Sequence, residues 1–163
     1  MTAGKQTQQM IIEELTEKGK KYCAYSERCS FDLEQKLYRL GANKATSQTI
    51  VKQLQKEKYV DDERFSKIFV KSKLKNNSWG KIKIRSELWK RQIDQSIIEK
   101  ALEDIDENAY VEKLKALYQK KYSELQKRNK DRIKEKAAAY CMQKGFETDF
   151  VLAVKVKNEK FLD

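Results

Sequence analysis

One helical phrase recurs three times along this chain, about fifty residues apart. The first copy runs from Ser30-Phe31-Asp32-Leu33 through Lys36-Leu37 to Leu40-Gly41, and the second from Ser78-Trp79-Gly80 through Ile84, Leu88 and Trp89 to Gln92-Ile93. A more divergent third copy runs from Asp131-Arg132-Ile133 through Ala137 and Cys141 to Lys144-Gly145-Phe146. Aligned on the helix ends, Leu37, Leu88 and Cys141 correspond, as do Gly41, Gln92 and Gly145. A fixed period of this length means one small unit used repeatedly, which predicts modules in a row and no central pocket. Such a shape suits a long partner.

The 163 residues include no proline. Proline breaks helix interiors by removing a donor and clashing with the preceding turn, so its absence lets helices run. Alternating β-branched runs bounded by Asn-Gly or Asp-Gly turns are missing, which argues against hairpins. The predicted class is all-α: an elongated, curved array of three tandem three-helix modules. A flexible N-terminus is expected over 1–8, then modules over 9–58, 59–106 and 107–163. Each module is too small to bury much by itself, so neighbours should help to cover its apolar edges.

Apolar spacing places the helices. Ile12, Leu15, Gly19, Tyr22 and Tyr25 share one side of a first helix over about 9–28. Ser30 is the expected N-cap of the second, which turns Leu33, Leu37 and Leu40 inward and stops at Gly41. Thr46 or Ser47 should cap the third, with Ile50, Val51 and Leu54 as its stripe. Asp61-Asp62-Glu63 opens a long helix whose inward face is Phe65, Ile68, Phe69 and Ser72; carboxylates there suit a helix N-terminus. Asn76-Asn77-Ser78 closes it. Asp94 caps a helix burying Ile97, Ile98, Ala101 and Leu102, with Ile105 beyond its end. In the last module the faces are Tyr110, Leu114, Leu117 and Tyr118, then Ile133, Ala137 and Cys141, then Phe150, Val151 and Val154. Phe150 to Val156 is β-branched, yet its place in the repeat predicts helix.

The net charge is +11, which points to polyanionic company and says nothing about fold. The charge falls in blocks. From Arg64 to Arg91 there are ten basic residues against one acid, Glu87, for a net of +9. From Lys113 to Lys136 ten basic residues face Glu124, Asp131 and Glu135, a net of +7. Between them, Asp94 to Glu112 carries −6. Segregation of this kind is more expected of a binding surface than of a solubilising one. Candidate contacts to nucleic acid or a filament are Lys71, Lys73, Lys75, Lys81, Lys83, Arg85, Lys90 and Arg91, with Arg128, Lys130 and Arg132 in the second block. The basic run spans a helix end, a turn and a helix start, so the backbone N–H groups of that start are expected to meet phosphates too. Trp89 is expected to pack between helices. For Trp79, packing and service as a stacking platform for a base stay open.

Catalysis finds little support. Without histidine, Ser/His/Asp and Cys/His arrangements are excluded, and neither GxxxxGK[ST] nor GxGxxG occurs. Cys23, Cys29 and Cys141 form no CxxC pair and make a poor zinc site, so buried reduced thiols are expected. Asp61-Asp62-Glu63 reads as capping and not as a metal cluster. No cofactor, no metal and no enzymatic activity are expected. With no stretch approaching the ~18 apolar residues of a membrane span, a cytoplasmic, non-membrane protein is expected, and a monomer.

Residues 20 to 156 resemble the RecX family of bacterial regulators of the recombinase RecA. The second unit carries most of it. Tyr59-Val60-Asp61-Asp62-Glu63-Arg64-Phe65, followed by Gly80-Lys81-Ile82-Lys83, Glu87-Leu88 and Ile93, is similar to the family's hydrophobic-DD-x-x-F/Y and G-x-x-I-x-x-E-L pattern. Ser30, Leu33, Lys36-Leu37 and Gly41 resemble its opening module. Lys81 stands where the family commonly has proline, and Arg91-Gln92-Ile93 where it has K-G-I/V. The resemblance implies a curved array of three modules lying in the groove of a RecA filament on single- or double-stranded DNA. There it would restrain ATP hydrolysis and strand exchange, and so regulate recombinational repair and the SOS response. The residues by themselves also fit a sequence-independent DNA binder acting alone.

Overall fold

The computed structural model describes residues 2–128 and 131–159, with side chains from Lys5 to Lys157. Among the described residues there are helices and no strands: α1 (Thr2–Tyr25), α2 (Ser30–Arg39), α3 (Lys44–Lys56), α4 (Asp62–Asn77), α5 (Lys81–Lys90), α6 (Gln95–Glu103), α7 (Glu107–Lys127), α8 (Ile133–Gln143) and α9 (Thr148–Glu159). The first helix starts at Thr2, well before the expected start near residue 9. The β-branched run from Phe150 lies in α9, where its place against α7 and α8 overrides strand propensity.

The principal helix contacts fall within consecutive triplets, α1–α3, α4–α6 and α7–α9. Each triplet has its own core. Leu15, Leu33, Leu37, Ile50 and Leu54 fill the first, Phe65, Val70, Ile84, Leu88 and Ile98 the second, and Tyr110, Leu114, Tyr118, Cys141 and Val151 the third. The bundles also share apolar groups. Cys29 and Phe31 precede or begin α2, yet pack into the second core. Leu74 and Ile105 touch both the second and the third. Two inward-face expectations fail: Tyr25 is 88% and Ile68 is 48% exposed. On α4 the buried positions are Phe65, Ser66 and Val70, so the core-facing stripe lies to one side of the expected one.

The repeated phrase produces the same helix ending three times. The N–H groups of Ala42, Ile93 and Phe146 donate to the carbonyls of Leu37, Leu88 and Cys141 at 3.0, 3.3 and 3.2 Å. Gly41, Gln92 and Gly145 between them have φ of 92°, 55° and 91°. This is the Schellman ending, in which a left-handed residue lets the last carbonyls find donors. Gln92 adopts it at a penalty of about 1 kcal/mol that glycine avoids. Leu37, Leu88 and Cys141 are all fully buried.

Two expected caps are corrected. Ser30 is the first residue of α2; Cys29 occupies the N-cap and makes no side-chain bond there. The Ser30 N–H donates instead to Asp62 Oδ1 of the next bundle at 2.7 Å. Asn43, not Thr46 or Ser47, caps α3 by accepting the Thr46 N–H at 2.9 Å. The Ser47 hydroxyl, already inside the helix, donates to the Lys44 carbonyl. Asp61 caps α4 through the Arg64 N–H, and Asp94 and Asp106 cap α6 and α7.

Candidate nucleic-acid interface

The turn from α4 to α5 is built by two special positions. Ser78 ends α4 in the left-handed conformation at φ 52°. Gly80 then passes so close to the α8–α9 turn that a Cβ on it would lie 2.2 Å from the Gly145 carbonyl oxygen. Trp79, between them, is half-buried and meets Phe69 edge-on at 6.4 Å. Lys73 Nζ lies 5.1 Å and Lys83 Nζ 4.7 Å from the Trp79 ring, and Lys73 lies 5.2 Å from Phe69. The Arg91 guanidinium is over Phe69 at 5.2 Å. Each such contact is worth about 0.5–1 kcal/mol at an exposed site, enough to hold flexible side chains together. Lys73 and Lys83 form no ion pair among the described residues, so their charge is available to an anion.

The other candidates are dispersed. Lys71 and Lys75 line a cleft on the opposite side of α4 from Lys73, because residues two apart on a helix point in nearly opposite directions. Lys81 sits over the Tyr110 ring at 5.1 Å. Arg85 forms a two-pronged pair with Glu99 at 2.8 and 2.9 Å, and that hydrogen bond holds the Glu99 carboxyl below its ordinary range. Lys90 pairs with Glu87 at 2.8 Å, and Arg91 with Glu87 at 3.4 Å and Asp32 at 3.9 Å. Arg128 pairs with Glu124 at 3.3 Å in the third bundle, and Arg132 is the exposed N-cap of α8. Lys130 lies outside the described residues. The acidic block therefore folds back onto the basic one: Glu99 meets Arg85, and Asp104 meets Lys67 at 3.3 Å. Blocks separated in sequence are partly mixed in space.

The α5 helix start does not offer its first N–H groups to phosphates as expected: Gly80 donates to the Lys144 carbonyl at 2.9 Å, Lys81 to the Tyr110 hydroxyl at 2.9 Å and Ile82 to the Gly145 carbonyl at 3.0 Å. The expectation for Trp89 is corrected. Trp89, expected between helices, is 71% exposed, while Trp79 packs against Phe69 and carries two ammonium groups.

Arg28 is a residue that the sequence reading missed. It stacks on Tyr22 at 4.4 Å and lines a groove of about 360 Å³ between the first two bundles, with Asp32, Phe69, Ser72, Lys73 and Arg91. No local spacing links Arg28 to Lys73; the α1–α2 turn brings them together. The cysteines are buried and free, and burial raises the thiols of Cys23 and Cys141 to about 11 and that of Cys29 to about 12. They are packing groups. Among the described residues no helix is long and apolar enough to cross a membrane.

Comparison with known proteins agrees with this architecture. Residues 61–102 match the model for the second three-helix domain of RecX, and residues 108–154 that for the third; together they cover more than half of the chain. Among curated relatives, the regulatory protein RecX of Oceanobacillus iheyensis is 29% identical over 133 residues, 82% of this chain and 49% of that protein. That of Clostridium acetobutylicum is 29% identical over 119 residues, 71% of this chain and 55% of that protein. The chain thus spans about half the length of the curated relatives it matches. Two solved structures share the fold. A crystal structure of regulatory protein RecX aligns with a TM-score of 0.79 at 21% identity, covering 95% of this chain and 78% of the other. The structure of RecX from Lactobacillus salivarius aligns at 0.78 and 22%, covering 90% and 95%. With the family's second and third domains falling in order on the second and third bundles, the chain belongs to the RecX family.

Proposed function

We propose that this protein is a non-enzymatic regulator that lies in the groove of a RecA filament on DNA and inhibits RecA ATP hydrolysis and strand exchange. In the cell it would modulate recombinational repair and the SOS response. The observation that carries the reading is the Lys73–Trp79–Lys83 cluster, two uncompensated ammonium groups held on one ring in the middle bundle of a three-bundle row. Arg28, stacked on Tyr22, adds a further cation to the groove at the first junction that Lys73 also lines. A row of bundles presents such charge along a polymer, and the ammonium heads can leave the ring for phosphate oxygens without disturbing the fold.

Mixed with RecA, ATP and single-stranded DNA, the chain is expected to lower steady-state ATP hydrolysis at near-stoichiometric levels. Changing Lys73 and Lys83 together to glutamate should raise the concentration needed by roughly 10-fold or more, since each phosphate contact is largely electrostatic. An unchanged hydrolysis rate with the chain in excess would reject the proposal.

Exposed Trp89, beside Arg85 and Lys90, favours a second reading, direct sequence-independent binding to DNA without RecA. A base on Trp89 would contribute about 1–3 kcal/mol. That reading requires tight binding to DNA alone, steep loss with salt, and quenching of Trp89 fluorescence that Trp89→Ala removes.

A further inference from the structure

α4 has a second charged side, turned away from the Trp79 cluster. Lys67, Lys71 and Lys75 recur at every fourth residue and follow one edge for about 12 Å. They border a cleft of about 780 Å³ between the second bundle and α7, with Lys113 across from them. Its floor is apolar: Val70, Leu74, Ala101, Ile105 and Ala109. Two carboxylates line it, and both are engaged. Asp104 pairs with Lys67 at 3.3 Å, and Asp106 accepts the Ala109 N–H at the α7 cap. Lys113 Nζ donates to the Lys75 carbonyl at 2.8 Å, which fixes α7 against the end of α4. Lys71 and Lys75 are exposed and in no ion pair among the described residues.

The geometry points to a docking cleft for an acidic amphipathic segment of a protein partner, about two helical turns long. Its apolar side chains would cover the floor, and its carboxylates would meet Lys71, Lys75 and Lys113. This site goes beyond the filament reading, because it uses the other side of α4 and stands or falls separately. Two features select a peptide over a nucleic-acid strand. The floor is aliphatic and offers no ring on which a base could stack. The wall alternates Asp104 and Asp106 with the lysines, a mixed pattern that suits separated carboxylates with neutral groups between them and not an unbroken row of phosphates. An amphipathic helix supplies apolar and acidic faces at the spacing that this cleft presents.

The test is an NMR titration of the ¹⁵N-labelled chain with three probes at low salt. They are a short helical peptide of glutamate and leucine with one acidic and one apolar face, the same peptide with serine for leucine, and a short oligothymidylate. The leucine peptide should move the amides of residues 67–75 and of the α6–α7 turn, and bind about 10-fold tighter than the serine peptide. Lys71→Glu with Lys75→Glu should weaken it about 10-fold, a difference of about 1.4 kcal/mol. Lys52→Glu with Lys56→Glu, on exposed positions of α3, should not weaken it. Circular dichroism would confirm that both variants are folded, and Lys71→Gln with Lys75→Gln replaces the first if it is not. Equal binding of the two peptides, movement of the cleft amides by the oligothymidylate but not by the leucine peptide, or no response to the peptide would each overturn the assignment. RecA enters none of these arms, so a failed inhibition assay leaves this result intact, and the reverse holds.

Discussion

The two junctions between bundles solve one problem in different ways. In each case the middle helix of a bundle begins with backbone N–H groups that have no partner within the helix, and the following bundle supplies one. At the first junction the partner is a side chain: Asp62 of α4 accepts the Ser30 N–H at 2.7 Å. Ion pairs surround it, Arg64 with Glu27 at 2.9 Å and Arg91 with Asp32 at 3.9 Å. At the second junction the partners are mostly backbone. Gly80 and Ile82 donate to the carbonyls of Lys144 and Gly145, and Lys81 to the buried Tyr110 hydroxyl, which in turn hydrogen-bonds Glu147. A carboxylate on a flexible stem tolerates small movements and responds to charge; two backbones in contact tolerate neither a Cβ nor a shift. The same repeat unit is therefore joined once by an adjustable link and once by a rigid one.

The largest expected effect breaks the rigid link. Gly80→Ala places a Cβ 2.2 Å from the Gly145 carbonyl oxygen, where only backbone movement can relieve the clash. A loss of about 3 kcal/mol is expected, measured by thermal and urea unfolding. Protease sensitivity should appear in the α4–α5 and α8–α9 turns. Gly41→Ala is the control, since its Cβ would meet nothing within 4 Å and only the φ of 92° opposes it. Next is Tyr110→Phe, which removes the acceptor for the part-buried Lys81 N–H and a donor to Glu147 at once. It should cost about 2 kcal/mol, because two hydrogen bonds across the junction are lost at about 1 kcal/mol each. If both variants unfold like the parent chain, the second junction is not the rigid one.

Alkali separates Cys29 at the first junction from Tyr110 at the second. Cys29 lies at the first, and burial, the largest cause, raises its thiol from an ordinary 9.0 to about 12. In the unfolded chain that thiol ionises above about pH 9, while the buried one stays protonated. Stability is therefore full below pH 9 and falls by about 1.4 kcal/mol per pH unit for each such thiol until the folded value is reached. Cys23 and Cys141, raised to about 11, add to the slope. Tyr110 at the second junction is also raised, by burial first and its bond to Glu147 second, but its contribution begins near pH 10, where an unfolded tyrosine ionises. Between pH 9 and 10, Cys29→Ala should lower the slope of stability against pH and Tyr110→Phe should not. Equal slopes for the parent and Cys29→Ala would show that the thiol ionises in the folded chain.

Much of this fold was legible because the determinants were local. The left-handed helix end was read at Gly41, the alignment put Gln92 and Gly145 at the same place in the repeat, and the corresponding buried positions followed from the same register. Asp61 and Asp94 were read correctly as caps because a cap acts within three residues. Asp62 was not read as the partner of Ser30, since they are brought together by packing across 32 positions. The site was less legible for the same reason. Helical geometry alone separates Lys73 from Lys71 and Lys75, but only the tertiary fold shows that Trp79 lies under Lys73 and Lys83 while Trp89 stands in solvent. The pairing of Arg85 with Glu99 depends on α6 folding back over α5, which no charge count along the chain reveals.

The smaller effects sharpen the adjustable link. Asp62→Ala removes the acceptor for Ser30 and should cost about 1 kcal/mol, the usual worth of an N-terminal cap, with the second junction unaffected as read by amide exchange at Gly80 and Ile82. The smallest is Glu27→Gln. Its partner Arg64 has a side chain 40% accessible to solvent, so water already screens the pair. The expected loss is about 0.5 kcal/mol at low ionic strength. In molar salt the screening length shrinks to about 3 Å and the difference between Glu27→Gln and the parent chain should nearly vanish. Gly80→Ala should be equally destabilising in both conditions, because a steric clash has no ionic-strength dependence. A Glu27→Gln deficit that persists in high salt would mean that Glu27 positions Arg64 by hydrogen bonding and not by charge, and the first junction would then be as rigid as the second.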